Sequence, residues 1–216
     1  MKPSSPSRNA DIQQLLTNNQ AWAEEFARDN PGFLEHSATQ QKPKFLWIGC
    51  ADSRVAPDQI LGLKPGEILV HRNIANLVRA DDVNCQSVLE FAINVVGVEH
   101  IIVCGHYGCA GVATAMQETP IGGLVGDWLA PAQQFWAEHS AHEAVPKQNP
   151  RDYYCELNAR RQALSVCHSV PVQQAWQQGQ TLHVHAWVYQ LALGRVQELG
   201  SATGVGEESK LGLPGI

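Results

Sequence analysis

The stretch KFLWIGCADSR, residues 44–54, gives the clearest indication of the fold of this chain. Its first half is apolar and ends in glycine, a pattern typical of a buried strand in a parallel sheet. A cysteine, an acid and a base follow at once, as Cys50, Asp52 and Arg54. HIIVCGHYGCAG, residues 100–111, repeats this arrangement with a second apolar run. Because sites in open α/β sheets form beyond the carboxyl ends of the strands, both stretches lead into a candidate site.

Apolar runs and helical patterns alternate along the rest of the chain. Residues 67–71 and 181–189 predict further strands, and the wide apolar stripe over residues 88–96 predicts a helix. Residues 122–140 and 151–170 are also predicted to be helical. Strands that alternate with helices indicate an α/β fold, in which a largely parallel β-sheet is flanked by helices.

The N-terminal part predicts a helical arm. Apolar residues recur at helical spacing from Asp11 until Asn30-Pro31, which ends the pattern. Such a helix needs a surface for its apolar face, and a partner subunit would provide one. We expect residues 1–9 to be disordered, residues 10–200 to form a single domain and residues 201–216 to be an irregular tail.

Composition and charge exclude several classes of partner. The chain has 216 residues, 44% of them hydrophobic, and a formal net charge of −6. Nucleic acids and anionic membranes need a clustered positive surface, so neither is an expected partner. No apolar run approaches the roughly 18 residues that suggest a membrane span, and the first residues do not resemble a signal peptide. The sequence therefore predicts a cytoplasmic protein.

The two stretches contain residues that zinc prefers as ligands, namely Cys50, His106 and Cys109. If the two strands are neighbours, these side chains converge, and three protein ligands leave the fourth position that a catalytic zinc needs. Cysteines are also commonly buried as small hydrophobic residues, so the residues alone leave zinc binding and plain burial as equal alternatives. The other cysteines are interpreted as core thiols: Cys85, Cys104, Cys155 and Cys167. Several histidines are interpreted as surface or structural residues: His71, His183 and His185.

Read together, Cys50-Ala51-Asp52-Ser53-Arg54 and His106-Tyr107-Gly108-Cys109 resemble the paired signatures of β-class carbonic anhydrases, in particular the bacterial type. The resemblance extends over roughly residues 10–200 and includes the run of residues 71–76 and the stretch of residues 155–158. Ala51 stands where many relatives have serine, a departure outside the ligand set.

This resemblance implies one zinc ion per chain, held by Cys50, His106 and Cys109. It also implies that Asp52 and Arg54 form an active-site pair. The reaction implied is the reversible hydration of carbon dioxide to bicarbonate and a proton, by attack of a zinc-bound hydroxide. Since two thiolates cancel the charge of zinc, another group must favour the hydroxide, and Asp52, kept ionised by Arg54, is suited to accept its hydrogen bond.

The resemblance implies further positions around this centre. Gln41 falls where the family has an amide that faces the substrate, and Phe91 is expected to line the pocket from a neighbouring subunit. The expected assembly is a homodimer or a homotetramer, with the N-terminal helix wrapped around the partner.

A second, non-catalytic bicarbonate site is implied at Trp47, Arg72 and Tyr189, which match a tryptophan, an arginine and a tyrosine that hold the anion in some family members. Guanidinium, indole and phenol groups all donate hydrogen bonds, as binding of an anion requires. The expected consequence is inhibition by bicarbonate and by low pH, through a closed state in which Asp52 leaves Arg54 and takes the fourth zinc position. Gln190, where close relatives often have glycine, follows Tyr189 in this chain.

Other functions fit parts of the pattern. A zinc hydrolase of the same fold that acts on carbon disulfide or carbonyl sulfide would keep the same ligands. A non-catalytic structural zinc protein would need neither Asp52 nor Arg54. A thiol redox protein is disfavoured because the sequence has no C-x-x-C motif.

Overall fold

The computed structural model describes residues 8–214, which fall into two units divided between Gln41 and Lys42. The first unit contains helix α1, Arg8–Asp29, and helix α2, Phe33–Thr39. Helix α1 ends before Asn30-Pro31, as the sequence predicts. Of the nine residues predicted to be disordered, 1–7 lie outside the described residues, whereas residues 8 and 9 belong to α1.

The second unit is built on one five-stranded sheet. Its strands are β1 Phe45–Cys50, β2 Ile68–Asn73, β3 His100–His106, β4 His183–Gln190 and β5 Arg195–Ala202. The spatial order is β2-β1-β3-β4-β5, in which the first four strands are parallel and β5 is antiparallel. The predicted α/β fold with a largely parallel sheet is confirmed. The two strands that carry the site, β1 and β3, are neighbours.

Helices surround this sheet: α3 Pro57–Leu61, α4 Val83–Phe91, α5 Ala110–Ala115, α6 Gly123–His142, α7 Pro150–Cys167 and α8 Val170–Gln177. Helix α4 continues as a π-helical segment, Ala92–Val96. The main core lies between the sheet and α7, and its buried side chains include Ile48, Val103, Leu164 and Val184. None of the helices between Arg8 and Pro214 is both long and apolar enough to cross a membrane.

The C-terminal region is more ordered than the sequence predicts. Strand β5 runs into the segment predicted as an irregular tail, and a short 3-10 helix, Glu208–Leu211, follows it. Leu211 is fully buried, which anchors this segment in the core. The boundary between the two units falls inside residues 10–200, and the assignment of those residues to a single domain stays a prediction.

Candidate metal centre

The ends of β1 and β3 bring the three predicted ligands together. Cys50 is the last residue of β1, His106 is the last residue of β3, and Cys109 directly precedes α5. All three side chains are buried, and their ligand atoms lie within 4.8 Å of one another. The two Sγ atoms are 3.8 Å apart. Two thiols and an imidazole at this spacing are a donor set that suits zinc.

The His106 ring is oriented for metal binding. Its Nδ1 lies 3.0 Å from the carbonyl oxygen of Tyr107. A carbonyl only accepts, so Nδ1 carries the hydrogen and Nε2 presents a lone pair. Within residues 8–214, Nε2 is buried and has no hydrogen-bond partner. Buried polar atoms are nearly always satisfied, and a metal ion at this point would satisfy Nε2, so the residues fit a zinc ion.

The two thiols share one hydrogen bond, which shifts their pKa values in opposite directions. The pKa of Cys50 is lowered to about 4, chiefly because the Cys109 thiol donates a hydrogen bond to it. The same hydrogen bond and burial raise the pKa of Cys109. One thiolate therefore forms readily without a metal, whereas the second needs a cation to stabilise it.

A strained loop supports Cys50 from the side. Ala75 lies in the left-handed region at φ 62°, and its backbone N–H contributes to the lowered pKa of Cys50. Its carbonyl accepts a hydrogen bond of 2.9 Å from the buried Asn158. Gln162 donates to Asn158 and accepts from the N–H of Val78, which fixes the other end of the loop. These buried amide side chains fix the loop that places the N–H of Ala75 near the Cys50 sulfur.

Sequence reasoning assigned no role to this supporting network. In the sequence, the run of residues 71–76 and the stretch of residues 155–158 indicate only a resemblance to the family. Glu156, in the second stretch, accepts a 2.5 Å hydrogen bond from the hydroxyl of Tyr107, the residue whose backbone carbonyl orients His106. The sequence signal for this network is the pair of amide residues at helical spacing on α7, Asn158 and Gln162, because an amide that faces inward needs a buried hydrogen-bond partner.

Asp52 and Arg54 form the predicted pair at the mouth of the centre. Both carboxylate oxygens accept from the guanidinium, at 2.9 Å from Nε and 2.6 Å from Nη2. These bonds hold the pKa of Asp52 well below its usual range, so the carboxylate stays ionised at neutral and mildly acidic pH. Oδ2 also lies 3.7 Å from Nε2 of His106, which places one carboxylate oxygen beside the candidate metal position.

Two of the three predicted bicarbonate residues share a buried cluster, and the third contacts the metal-site loop. Trp47 and Tyr189 belong to one buried cluster on the opposite face of the sheet. The indole Nε1 is buried and unpartnered among the described residues, and a Cβ at Gly49 would lie 2.2 Å from it. Arg72 donates to the carbonyl of Cys50 at 2.9 Å and to the carbonyl of Asp52. Its guanidinium is therefore bonded to the loop that carries the site.

The two remaining predicted positions are exposed. Phe91 is the last residue of α4 and is 46% exposed. Gln41 is exposed and belongs to the first unit. Their roles stay predictions.

A second group of possible ligands, His71, Asp82 and Cys85, also lies within 4.8 Å. Burial raises the pKa of Cys85 to about 12, and the Asp82 carboxylate already caps α4 by accepting from the N–H of Asn84. These features agree with the interpretation of Cys85 as a core thiol. Cys104, Cys155 and Cys167 are buried as well, as predicted.

Comparisons with known proteins agree with this geometry. A family model described as carbonic anhydrase matches residues 45–196. The carbonic anhydrase of Emericella nidulans is 36% identical over 188 residues, which cover 86% of this chain and 82% of that relative. A Coccomyxa β-carbonic anhydrase structure is 36% identical, with a TM-score of 0.87, and the match covers 94% of this chain and 95% of that one.

A structure from Sordaria macrospora, one of two described as tetrameric β-carbonic anhydrases, is 34% identical with a TM-score of 0.84. This match covers 90% of the present chain and 100% of that one. The family match spans both strands that carry the cysteine and histidine residues, and it includes Asp52 and Arg54. The chain therefore belongs to the carbonic anhydrase family, in its β class, and it is a carbonate dehydratase.

Proposed function

We propose that the chain hydrates carbon dioxide reversibly with one zinc ion, held by Cys50, His106 and Cys109. The observation that carries this proposal is the buried Nε2 of His106, which has no hydrogen-bond partner in the described part of the chain and lies near two thiols. When bound, the zinc supplies a Lewis acid that makes hydroxide available near neutral pH. Two thiolates and a neutral imidazole would balance its charge.

The protein's own part in the reaction lies with Asp52 and Arg54. Arg54 holds both oxygens of the Asp52 carboxylate and keeps it ionised and fixed in direction. Asp52 accepts a hydrogen bond from the attacking water or hydroxide and so orients its lone pair towards carbon dioxide. Orientation of this kind lowers the barrier because less ordering is needed in the transition state.

The direct experiment measures carbon dioxide hydration and zinc content on the same preparation, with carbon disulfide and carbonyl sulfide as parallel substrates. We expect one zinc per chain and hydration as the main activity. Zinc binding without hydration would indicate a structural zinc protein, and turnover of the sulfur substrates alone would indicate the related hydrolase.

We also propose that bicarbonate regulates the enzyme at Trp47, Arg72 and Tyr189. The indole Nε1 is an unused donor among the described residues, and Arg72 bridges to the carbonyls of Cys50 and Asp52. An anion that took the donors of Arg72 would release this loop. Asp52, whose Oδ2 lies 3.7 Å from Nε2 of His106, would then be free to leave Arg54 and to serve as the fourth ligand of the zinc.

Tyr189→Phe should weaken this inhibition, since it removes one donor and preserves the ring. Allosteric couplings are typically about 5- to 150-fold, so we expect at least about a fivefold rise in the inhibitory bicarbonate concentration. The measurement is steady-state hydration with added bicarbonate at several pH values, with Tyr153→Phe on α7 as the control. If the parent's pH curve fits a single ionisation and Tyr189→Phe has no effect, the three residues are structural.

A homo-oligomer, dimer or tetramer, is proposed for the functional state. Several large apolar side chains of the described residues are exposed, both on α1 and on the helical segment around α4: Ile12, Leu15, Leu16, Trp22, Val83, Phe91 and Val95. Exposed apolar surface of this extent is typical of protein interfaces. Phe91 is proposed to line the pocket from the neighbouring subunit, and Gln41 to face the substrate. A cytoplasmic location is also proposed and is tested by cell fractionation.

Removal of residues 1–29 should destabilise the assembly, because it removes one of these apolar surfaces and leaves its counterpart exposed. We expect a lower oligomer mass and a fall in the melting temperature of at least about 2–4 °C, the shift that about 1 kcal/mol produces in a chain of this length. Light scattering and thermal unfolding measure both. A monodisperse monomer of the full chain at micromolar concentration contradicts the proposal.

A further inference from the structure

Helix α7 packs closely against the end of β3 that carries His106. A Cβ on Gly105, the residue before His106, would lie 2.9 Å from the carbonyl oxygen of Cys155 on α7. A side chain at this position would force the strand and the helix apart, so glycine permits the close approach. From the next position of α7, Glu156 reaches the residue that follows β3. The helix therefore contacts the chain on both sides of the histidine ligand.

Tyr107 is the residue that follows β3, and three hydrogen bonds hold it. Its hydroxyl donates to a carboxylate oxygen of Glu156 at 2.5 Å. Its N–H donates to the carbonyl of Tyr189 at 3.1 Å, which extends the pairing of β3 with β4 by one residue. Its carbonyl oxygen accepts from Nδ1 of His106 at 3.0 Å. One residue therefore connects the histidine ligand to both α7 and β4.

The bond to Glu156 holds the side chain of this residue. A hydroxyl-to-carboxylate distance of 2.5 Å is typical of charge-assisted hydrogen bonds, which are about twice as strong as neutral ones. Both side chains are half-buried, and Tyr107 packs against the main core, so water competes weakly for this bond.

The chain turns directly after Tyr107. Gly108 lies in the left-handed region at φ 68°, and Cys109 follows it. The carbonyl that faces His106 belongs to the peptide between Tyr107 and Gly108. Glycine gives this peptide little restraint on one side, because it has no side chain and a wide choice of backbone angles. The direction of the carbonyl therefore depends on how firmly Tyr107 is held on the other side.

We propose that Tyr107 and Glu156 are positioning residues for the metal centre, an inference that rests on the zinc ligands of the proposed function. The bond between their side chains holds the Tyr107 carbonyl in the direction that accepts from His106. The imidazole then keeps its hydrogen at Nδ1 and presents the lone pair of Nε2 to the metal position. Neither residue belongs to the ligand set, so the pair acts through His106.

Tyr107→Phe should weaken zinc binding by about 10- to 100-fold, the cost of losing an outer-shell partner of a metal ligand. The ring remains, so its packing against the core is preserved and only the bond to Glu156 is lost. Competition with a chelator of known zinc affinity, at fixed pH, measures the change. The visible absorption bands of the cobalt-substituted protein report the ligand geometry independently of activity, and we expect them to shift in this variant.

Two variants of Glu156 test whether the bond itself is responsible. Glu156→Gln keeps an amide oxygen that accepts from the hydroxyl, so it should bind zinc more tightly than Glu156→Leu, which keeps no acceptor. The double variant Tyr107→Phe/Glu156→Leu should bind zinc no more weakly than Tyr107→Phe alone, since the same bond is lost only once.

Tyr153→Phe is the matched control. Tyr153 is also a half-buried tyrosine, and its hydroxyl lies 2.8 Å from Nε2 of His139, away from the metal ligands. This variant should keep the zinc affinity and the cobalt spectrum of the parent. Thermal unfolding of the metal-free proteins separates a general loss of stability from an effect on the metal centre. If Tyr107→Phe does not fold, the two Glu156 variants carry the same comparison.

The inference is overturned if Tyr107→Phe and Glu156→Leu bind zinc as tightly as the parent and leave the cobalt spectrum unchanged. It is equally overturned if Tyr153→Phe weakens zinc binding to the same extent, since the effect is then one of stability. In both cases a parent that binds zinc and hydrates carbon dioxide keeps its proposed function. A parent that binds no zinc overturns the proposed function and this inference together.

Discussion

Cys50→Ser should lose nearly all of its zinc and, with it, nearly all carbon dioxide hydration. A serine hydroxyl stays protonated at neutral pH, whereas the pKa of the Cys50 thiol is lowered to about 4 by the hydrogen bond from Cys109. Substitution of residues that only orient a ligand costs about 10- to 100-fold in metal affinity, and loss of a ligand should exceed that. Metal analysis and stopped-flow hydration on the same sample measure both effects.

Cys104→Ser is the matched control. Cys104 lies on β3, two residues before His106, and is also buried. Its thiol donates to the carbonyl of Gly105 at 3.2 Å, a hydrogen bond that a serine hydroxyl can replace. We therefore expect this variant to keep zinc and activity. Full metal content in Cys50→Ser would remove Cys50 from the ligand set.

The sequence predicted the two strands of the site because each is a continuous apolar run that ends in polar residues. Neighbouring parallel strands end at the same edge of a sheet, so Cys50 and His106 could be expected to converge once β1 and β3 are adjacent. The end of α1 was also predictable, because Asn30-Pro31 interrupts its periodicity.

Other features had no comparable local signal. Strand β5 is an exposed edge strand with mixed burial, so its sequence shows no continuous apolar run. The left-handed conformation of Ala75 depends on Asn158, which is 83 residues away in sequence. Without a glycine at this position, the turn cannot be predicted from local sequence, because tertiary hydrogen bonds impose it.

Asp52→Asn is the second substitution with a large expected effect. The amide keeps the size of the side chain but loses the charge, and one of its two polar atoms becomes a donor that faces the Arg54 guanidinium. We expect zinc to be retained, since Asp52 belongs to none of the three proposed ligand positions, and kcat for hydration to fall by about 100-fold or more. If activity is lost while the zinc content stays full, Asp52 acts by orienting the nucleophile and not by binding the metal.

Asp81→Asn provides the control for a broken ion pair. Arg79 donates two hydrogen bonds to the Asp81 carboxylate, at 2.9 Å and 2.7 Å, in the same bidentate geometry. The two residues are also two positions apart in the sequence, as Asp52 and Arg54 are. This pair is not part of the metal centre, so its loss should change hydration by less than about twofold. Its cost falls on stability, where a surface ion pair contributes about 0–1 kcal/mol. If Asp52→Asn behaved like Asp81→Asn, the Asp52–Arg54 pair would be an ordinary surface ion pair. The carboxylate oxygen 3.7 Å from Nε2 of His106 would then have no part in catalysis.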